Sequence, residues 1–343
     1  MAGERAFEIC GISARPGETA RGFVTIGETA SGPVQFPLIV VNASKPGPAL
    51  CITAGVHATE YAPIEAAFRL LQTLPARLLC GSVVIVPVAN TAMFAARSGF
   101  VSPIDGLNLN KVAPGGSGSM TELLAMRLLD DVIGRAKYYI DLHAGDLGEM
   151  LMPFGGYPLT GNAKLDGEGE TLARLFTPGL ISLAKEGSTL PPFAGSLVFE
   201  ATRRGVGAIL AESGGNGTLE ERDVQVHLRG VENILRYLGM VEGTPTVRGP
   251  QIQATDRAIT RATRAGMLRL RVGVGVQVAA GQQVAEICNV FGDVVEAVHV
   301  PRAGITGLVW AHKTVSSGDP VVRCWYTEPA APFPATDRFL EKP

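Results

Sequence analysis

A chain of 343 residues with a formal net charge of −2 and only 18% charged residues holds no basic run that could track a nucleic-acid backbone. At 46% hydrophobic, with 42 Gly and 23 Pro, it reads as a turn-rich globular protein long enough for two domains. The opening segment lacks a basic stretch followed by a long apolar core, and apolar runs such as "SVVIVPVA" are too short to cross a bilayer, so neither a secretion signal nor a membrane span is expected.

From about residue 35 to 240 short apolar runs alternate with helical patterns. "FPLIVVN" (36–42) and "PALCITAGV" (48–56) read as strands, and "PIEAAFRLLQTL" (63–74) as a helix with Pro63 in its first turn. "SVVIVPVA" (82–89) is a strand. "SMTELLAMRLLDDVI" (119–133) is a helix with Ser119 as N-cap and Glu122 completing a capping box. "KYYIDLH" (137–143) is a strand, and "GEGETLARLFTPGLISLAKEG" (167–187) is expected to form one helix. A strand, "VGAILAES" (206–213), and a long amphipathic helix (218–239) follow. This rhythm indicates an α/β fold, a mixed sheet with helices on both faces, with sites at the carboxyl ends of strands.

After Gly239 the helical period stops. Residues 240–251 are linker-like, and the stretch to about 327 is short strands and glycine turns. It repeats weakly: the segment from Ala265 resembles the one from Ala303, each with Ala-Gly, a strand and a turn glycine (Gly281, Gly318). Two domains are expected, 1–240 and 250–330, the second a smaller all-β sandwich or barrel built from paired hairpins. The Pro-rich tail from Glu328 is expected to be irregular. Cys10, Cys51, Cys80, Cys288 and Cys324 are scattered, odd in number and without chelating spacing, as suits reduced thiols in a cytoplasmic protein.

The chemistry concentrates in two places. "GVHATE" puts His57 and Glu60 three apart in a strand-to-helix turn, where the offset can bring both side chains to one point. His143 ends the strand "YYIDLH", and Asp141, two residues earlier, shares its face and can hydrogen-bond it. A catalytic zinc wants three His or carboxylate ligands with a fourth position for water. His227 belongs to the amphipathic helix, and His299 and His312 to the β-rich tail. Elimination therefore leaves His57 and His143 for one metal site with Glu60. A surface ion pair for His57 and Glu60, and a capped strand-end histidine for His143, are the plain alternatives.

Taken together, "GVHATE", Arg97, "DGLNLNKVAPG", "IDLH" and "AESGGNG" occur in this order over residues 50–240. They resemble the succinylglutamate desuccinylase/aspartoacylase family, relatives of the zinc carboxypeptidases, whose C-terminal domain is also similar to the β-rich tail. The resemblance implies a zinc carboxypeptidase-like fold and a zinc-dependent hydrolase, one Zn2+ per chain, cleaving the amide of a small N-acyl amino acid or N-acylated amine. It implies His57, Glu60 and His143 as metal ligands and Glu212 as the catalytic carboxylate. It implies Arg97 as the side chain that polarises the scissile carbonyl, and Asn110 and Lys111 as the pair gripping a substrate carboxylate. It also places a further substrate-contacting arginine at Arg203 or Arg204. The sequence departs from the family at Lys111, where an arginine fork is usual and a single ammonium stands instead.

The competing reading is a metallocarboxypeptidase acting on peptides, which Lys111 disfavours. A carrier module of the biotinyl type lacks the lysine it would need between the two halves of the repeat. "APGGSGSM" lacks the Gly-Lys-Ser/Thr ending of a phosphate loop. A small-molecule substrate is expected, with no nucleic acid and no membrane, and the tail is suited either to shaping the site's mouth or to subunit contacts in a homo-oligomer.

Overall fold

Ahead of the first expected strand the chain already lays down three. β1 (Phe7–Ile9) and β2 (Ile12–Ala14) form a small hairpin, and β3 (Thr19–Thr29) pairs antiparallel along β4 (Gly32–Asn42). The computed structural model describes residues 6–177, 179–184, 194–247, 249 and 251–329. β5 (Lys45–Thr53) leads through the His57 turn into α1 (Tyr61–Thr73), followed by β6 (Cys80–Val86), α2 (Thr91–Ala96) and α3 (Met120–Arg127). Ser119 caps α3 by accepting from the Glu122 backbone N–H at 3.2 Å. The expected helix over 119–133 is real but segmented, passing into a π turn at Leu128–Val132 and a 3-10 turn at Ile133–Arg135.

β7 (Tyr138–His143), β8 (Glu149–Pro158), α4 (Ala163–Phe176), β9 (Leu180–Ala184), α5 (Leu197–Arg203), β10 (Gly207–Gly215) and α6 (Glu221–Tyr237) complete the α/β part. The single helix expected over 167–187 is corrected: α4 stops at Phe176, and Leu180–Ala184 is a strand. Thr177 is extended (φ −91, ψ 141), the conformation forced on a residue that precedes proline. Residues 185–187 of that stretch lie outside the described residues.

Among the described residues twelve strands form one sheet, in the order β3-β4-β6-β5-β7-β10-β8-β9 and onward into the tail. β6, β5, β7 and β10 run parallel, while β4 and β8 run against them. One face packs on α3 and α5 through Leu124, Leu197, Val198 and Ala201. The other packs on α1, α4 and α6 through Ile64, Leu172, Val231 and Ile234. Helices therefore cover both faces, as the alternating pattern requires.

The tail contributes β11 (Ile252–Arg261), β12 (Gly266–Leu270), β13 (Gln277–Val278), β14 (Gln283–Cys288), β15 (Val294–His299), β16 (Gly304–Trp310), β17 (Thr314–Val315) and β18 (Pro320–Pro329). Each half of the weak repeat is a strand, a two-residue strand and a strand. The halves exchange their short middle strands: β13 pairs with β16, and β17 with β12. Gly281 and Gly318 turn at φ +73 and +94, a region where only glycine is unstrained. β12, β14, β15 and β17 form a four-stranded sheet, whereas β11, β18, β16 and β13 extend the large one, with β16 also pairing to β8. Of the irregular tail expected from Glu328, Glu328 and Pro329 end β18 and the rest lies outside the described residues.

Candidate metal centre and its surroundings

β5, β7 and β10 are adjacent parallel strands, and their carboxyl ends deliver the chemistry. Beyond β5 the chain turns so that the Glu60 backbone N–H donates to the His57 carbonyl at 3.3 Å, which sets the two side chains side by side. His143 ends β7 directly across from Glu212 on β10, so both project from the same face. The result is a tight cluster: one ligand atom from each of His57, Glu60 and His143, all buried, lie within 4.8 Å of one another.

Glu60 is the hinge of that cluster. His57 Nδ1 lies 2.9 Å from its Oε1, and His143 Nδ1 3.0 Å from its Oε2, which also accepts from the Ala144 backbone N–H at 2.8 Å. The outer nitrogens are held from behind. His57 Nε2–H donates to Asn108 Oδ1 at 3.0 Å, and His143 Nε2 sits 3.2 Å from Asp141 Oδ2. Asp141 is fixed in turn by Thr53 Oγ1–H at 2.6 Å. A proton on each Nε2 leaves both Nδ1 lone pairs aimed inward beside a carboxylate, which is the donor set and tautomer a divalent cation requires.

The electrostatics agree with a site built for positive charge. Burial works against ionised Glu60, but the two imidazoles overcome it and hold the carboxyl down at about 2. Burial likewise opposes protonated His143, yet Asp141 and Glu60 carry its pKa well above the usual histidine value. His57 is raised too, its burial outweighed by Glu60.

Glu212 stands beside the centre with Oε2 enclosed and without a partner among the described residues. Burial first, then the carboxylates of Glu60, Glu149 and Asp141, push its pKa well above the carboxylate range, with His143 opposing. Asp146 ties the surrounding loops together. Its carboxylate accepts from Thr59 Oγ1–H, from the Phe100 backbone N–H and from the Leu147 backbone N–H. Phe100, held there, sets its ring edge-on to His57 at 5.8 Å. Asn108, Asp146 and Glu149 went unpicked in the sequence although all three lie in or next to quoted motifs. No residue spacing tells a loop carboxylate that locks backbone from one that faces solvent.

The other expected residues are distributed unevenly. Asn110 follows Asn108, whose Oδ1 accepts the Asn110 backbone N–H at 2.8 Å, and its own Oδ1 is buried without a partner among the described residues. Lys111 ends the same 3-10 turn near Arg257 and Arg323. Arg97 is exposed in a left-handed conformation (φ 55) just past α2, and it makes no ion pair among the described residues. Arg203 is not drawn to the centre: its side chain is 63% exposed and leans on Glu200 of the same helix at 3.3 Å. Arg204 pairs with Asp130 at 3.0 Å. Both sit at the end of α5, away from the strand ends, and their polar tips are engaged there.

His227 is buried in α6 and His312 packs on the loop after β7. A Cβ on Gly148 (φ +78) would lie 2.0 Å from the His312 ring, so only glycine lets the tail close on that loop. The cysteines form no disulfide, and no described helix is long and apolar enough to cross a membrane.

Residues 46–238 match the succinylglutamate desuccinylase/aspartoacylase catalytic domain. The chain is 30% identical over 305 residues to the N-alpha-acetyl-L-2,4-diaminobutyric acid deacetylase of Halomonas elongata, covering 86% of each protein. The product-bound ectoine utilization protein EutE (DoeB) from Ruegeria pomeroyi shares the fold with a TM-score of 0.81 at 22% identity, over 90% of this chain and 94% of that one. A succinylglutamate desuccinylase/aspartoacylase from Rhodobacter sphaeroides gives 0.78 at 24% identity, over 91% and 94%. With the catalytic-domain match spanning the strand ends that carry His57, Glu60, His143 and Glu212, this chain belongs to the succinylglutamate desuccinylase/aspartoacylase family of deacylases.

Proposed function

We propose that the protein is a zinc-dependent deacylase that hydrolyses the amide bond of a small N-acyl amino acid. The observation that carries this reading is the convergence of His57, Glu60 and His143 beside a Glu212 whose Oε2 has no partner among the described residues. Zinc held by these three residues would supply a Lewis acid and would lower the pKa of a water there to about 7. Glu212 takes the proton from the attacking water and passes it to the departing nitrogen, a double duty suited to a carboxyl that burial raises well above the usual carboxylate range. Arg97, exposed at the end of α2, is the side chain that would turn inward to hold the developing oxyanion. Asn110 and Lys111 meet the substrate's carboxylate. Unpaired cysteines agree with work in a reducing, cytoplasmic setting.

Metal analysis coupled to a panel of acetylated, succinylated and peptide substrates tests this. One zinc per chain is expected, with activity abolished by a chelator and restored by zinc. Glu212→Gln is expected to keep the metal and lose turnover by about 100- to 10,000-fold. Full turnover in that variant removes Glu212 from its role, and hydrolysis of the peptides alone replaces the deacylase by a carboxypeptidase. The relative from Halomonas elongata makes an acetylated diamino acid the first substrate to try.

A further inference from the structure

Of the carboxylates around the centre, four have tasks. Glu60 meets both histidines, Asp141 backs His143, Asp146 locks three loops, and Glu212 is the proton carrier of the proposed reaction. Glu149 has none. Its backbone carbonyl accepts the Asn216 N–H at 2.6 Å, but its carboxyl makes no hydrogen bond or ion pair among the described residues. It nevertheless lies within electrostatic reach of Glu212, Glu60 and His57, and burial raises its pKa.

The strand register explains what faces it. Glu212 pairs with Phe154 but Gly214 pairs with Leu151, so β8 carries a bulge between these positions. The extra residue restores Leu151 and Glu149 to the face that bears Glu212. Across β8–β16 Glu149 pairs with Trp310, and across β16–β18 Leu308 pairs with Arg323, whose guanidinium lies 5.5 Å from the Trp310 ring. Arg257 pairs with Trp325 on the next strand and so shares the face with Arg323. Glu149, Trp310, Arg323 and Arg257 thus form a row, acid at the metal end and guanidiniums at the far end, with Lys111 close to both arginines. Two strand spacings and a two-residue offset along the strands, about 12 Å in all, separate the backbones of Glu149 and Arg323. The two charges sense each other without forming an ion pair, and Arg323 Nε is enclosed with no partner among the described residues.

Resting on the deacylase reading, we propose that Glu149 recognises a free ammonium on the side chain of the substrate. The cations Arg323, Arg257 and Lys111 receive its carboxylate, and the preferred class is N-acylated diamino acids. A ligand with a positive amine and a carboxylate spans the unbridged gap with each charge facing its opposite. An N-acyl monoamino acid leaves Glu149 desolvated and unmatched, and a dicarboxylic one brings like charge against it. The guanidinium fork that Lys111 lacks is supplied from β11 and β18.

The test uses the zinc-loaded full-length enzyme with N-alpha-acetyl-2,4-diaminobutyrate and N-acetyl-2-aminobutyrate, which differ only by the side-chain amine. The wild type is expected to favour the diamino compound by about 30-fold or more in kcat/KM, the size of a charged hydrogen bond. Glu149→Gln is expected to erase that ratio, chiefly through KM of the diamino compound, and Glu149→Asp to restore part of it. A ratio unchanged by Glu149→Gln, or a wild type that treats the two alike, overturns the role of Glu149 and leaves the deacylase standing. A zinc-loaded wild type inert toward every N-acyl compound in the panel sinks both.

Discussion

His227 shows how a single side chain in this fold is read by its surroundings. It is fully buried in α6, its Nε2–H donates to the Ser213 carbonyl at 3.3 Å, and Nδ1 has no partner among the described residues. Burial, only partly offset by that carbonyl, depresses its pKa to about 4. In the unfolded chain a histidine titrates near 6.5, so between these values the unfolded state binds the extra proton. The stability this residue contributes is therefore complete above about pH 6.5 and lost as pH falls toward 4. Between pH 7 and pH 5 the loss is about 2 kcal/mol. Denaturant titrations of the chelator-treated protein at both values check it: His227→Gln should show a drop smaller by that amount, and an equal drop in both proteins refutes the assignment. Setting His227 apart from His57 and His143 was possible from sequence, because a histidine inside a strong helical period has a different neighbourhood from one at a strand end. Arg203 was not separable in this way. A short helix end can turn an arginine toward the strand ends or toward solvent, and only Glu200 beneath it decides.

At the scale of elements, local rules served well where one interaction dominates. The N-cap of α3 follows from Ser119 and the three-residue offset to Glu122, and Ser119→Ala is expected to cost about 1 kcal/mol, read from the denaturation midpoint. No change in midpoint would mean that the nearby Asp105 and Thr121 contacts alone fix the start of the helix. The stretch 167–187 misled because apolar residues continue on both sides of Pro178–Gly179, although a proline at that point ends the helix before it. A strand of Leu180–Ala184 is stabilised by neighbours far away in sequence, β8 and β11. β1 to β3 escaped notice for the same reason: β3 is largely polar, and its pairing with β4 outweighs its composition. The bulge in β8 falls at Met152–Pro153, where a proline cannot donate to the ladder, and it decides which face Glu149 occupies.

For the whole molecule, the tail is woven into the large sheet. Trp325 on β18 is 1% exposed and meets Phe154 of β8 edge-on at 4.7 Å. Trp325→Ala is expected to cost about 3–5 kcal/mol and to lower one common unfolding transition of the chain. A separate early transition that leaves the His57 environment intact, followed by near-ultraviolet circular dichroism and zinc retention, would show the tail melting alone. The sequence by itself determined the alternation that makes the α/β sheet, the paired halves of the tail and the His57–Glu60–His143 donor set. The alternation, the repeat and the His57–Glu60 pair are written in short-range spacing, and the adjacency of β5 and β7 then brings His143 beside that pair. Only the tertiary structure decided that β11 and β18 set Arg257 and Arg323 on the face that carries Glu149. The pairs that build the row, Arg257 with Trp325 and Glu149 with Trp310, are 68 and 161 residues apart along the chain, where pairing register, and no local pattern, chooses the neighbours.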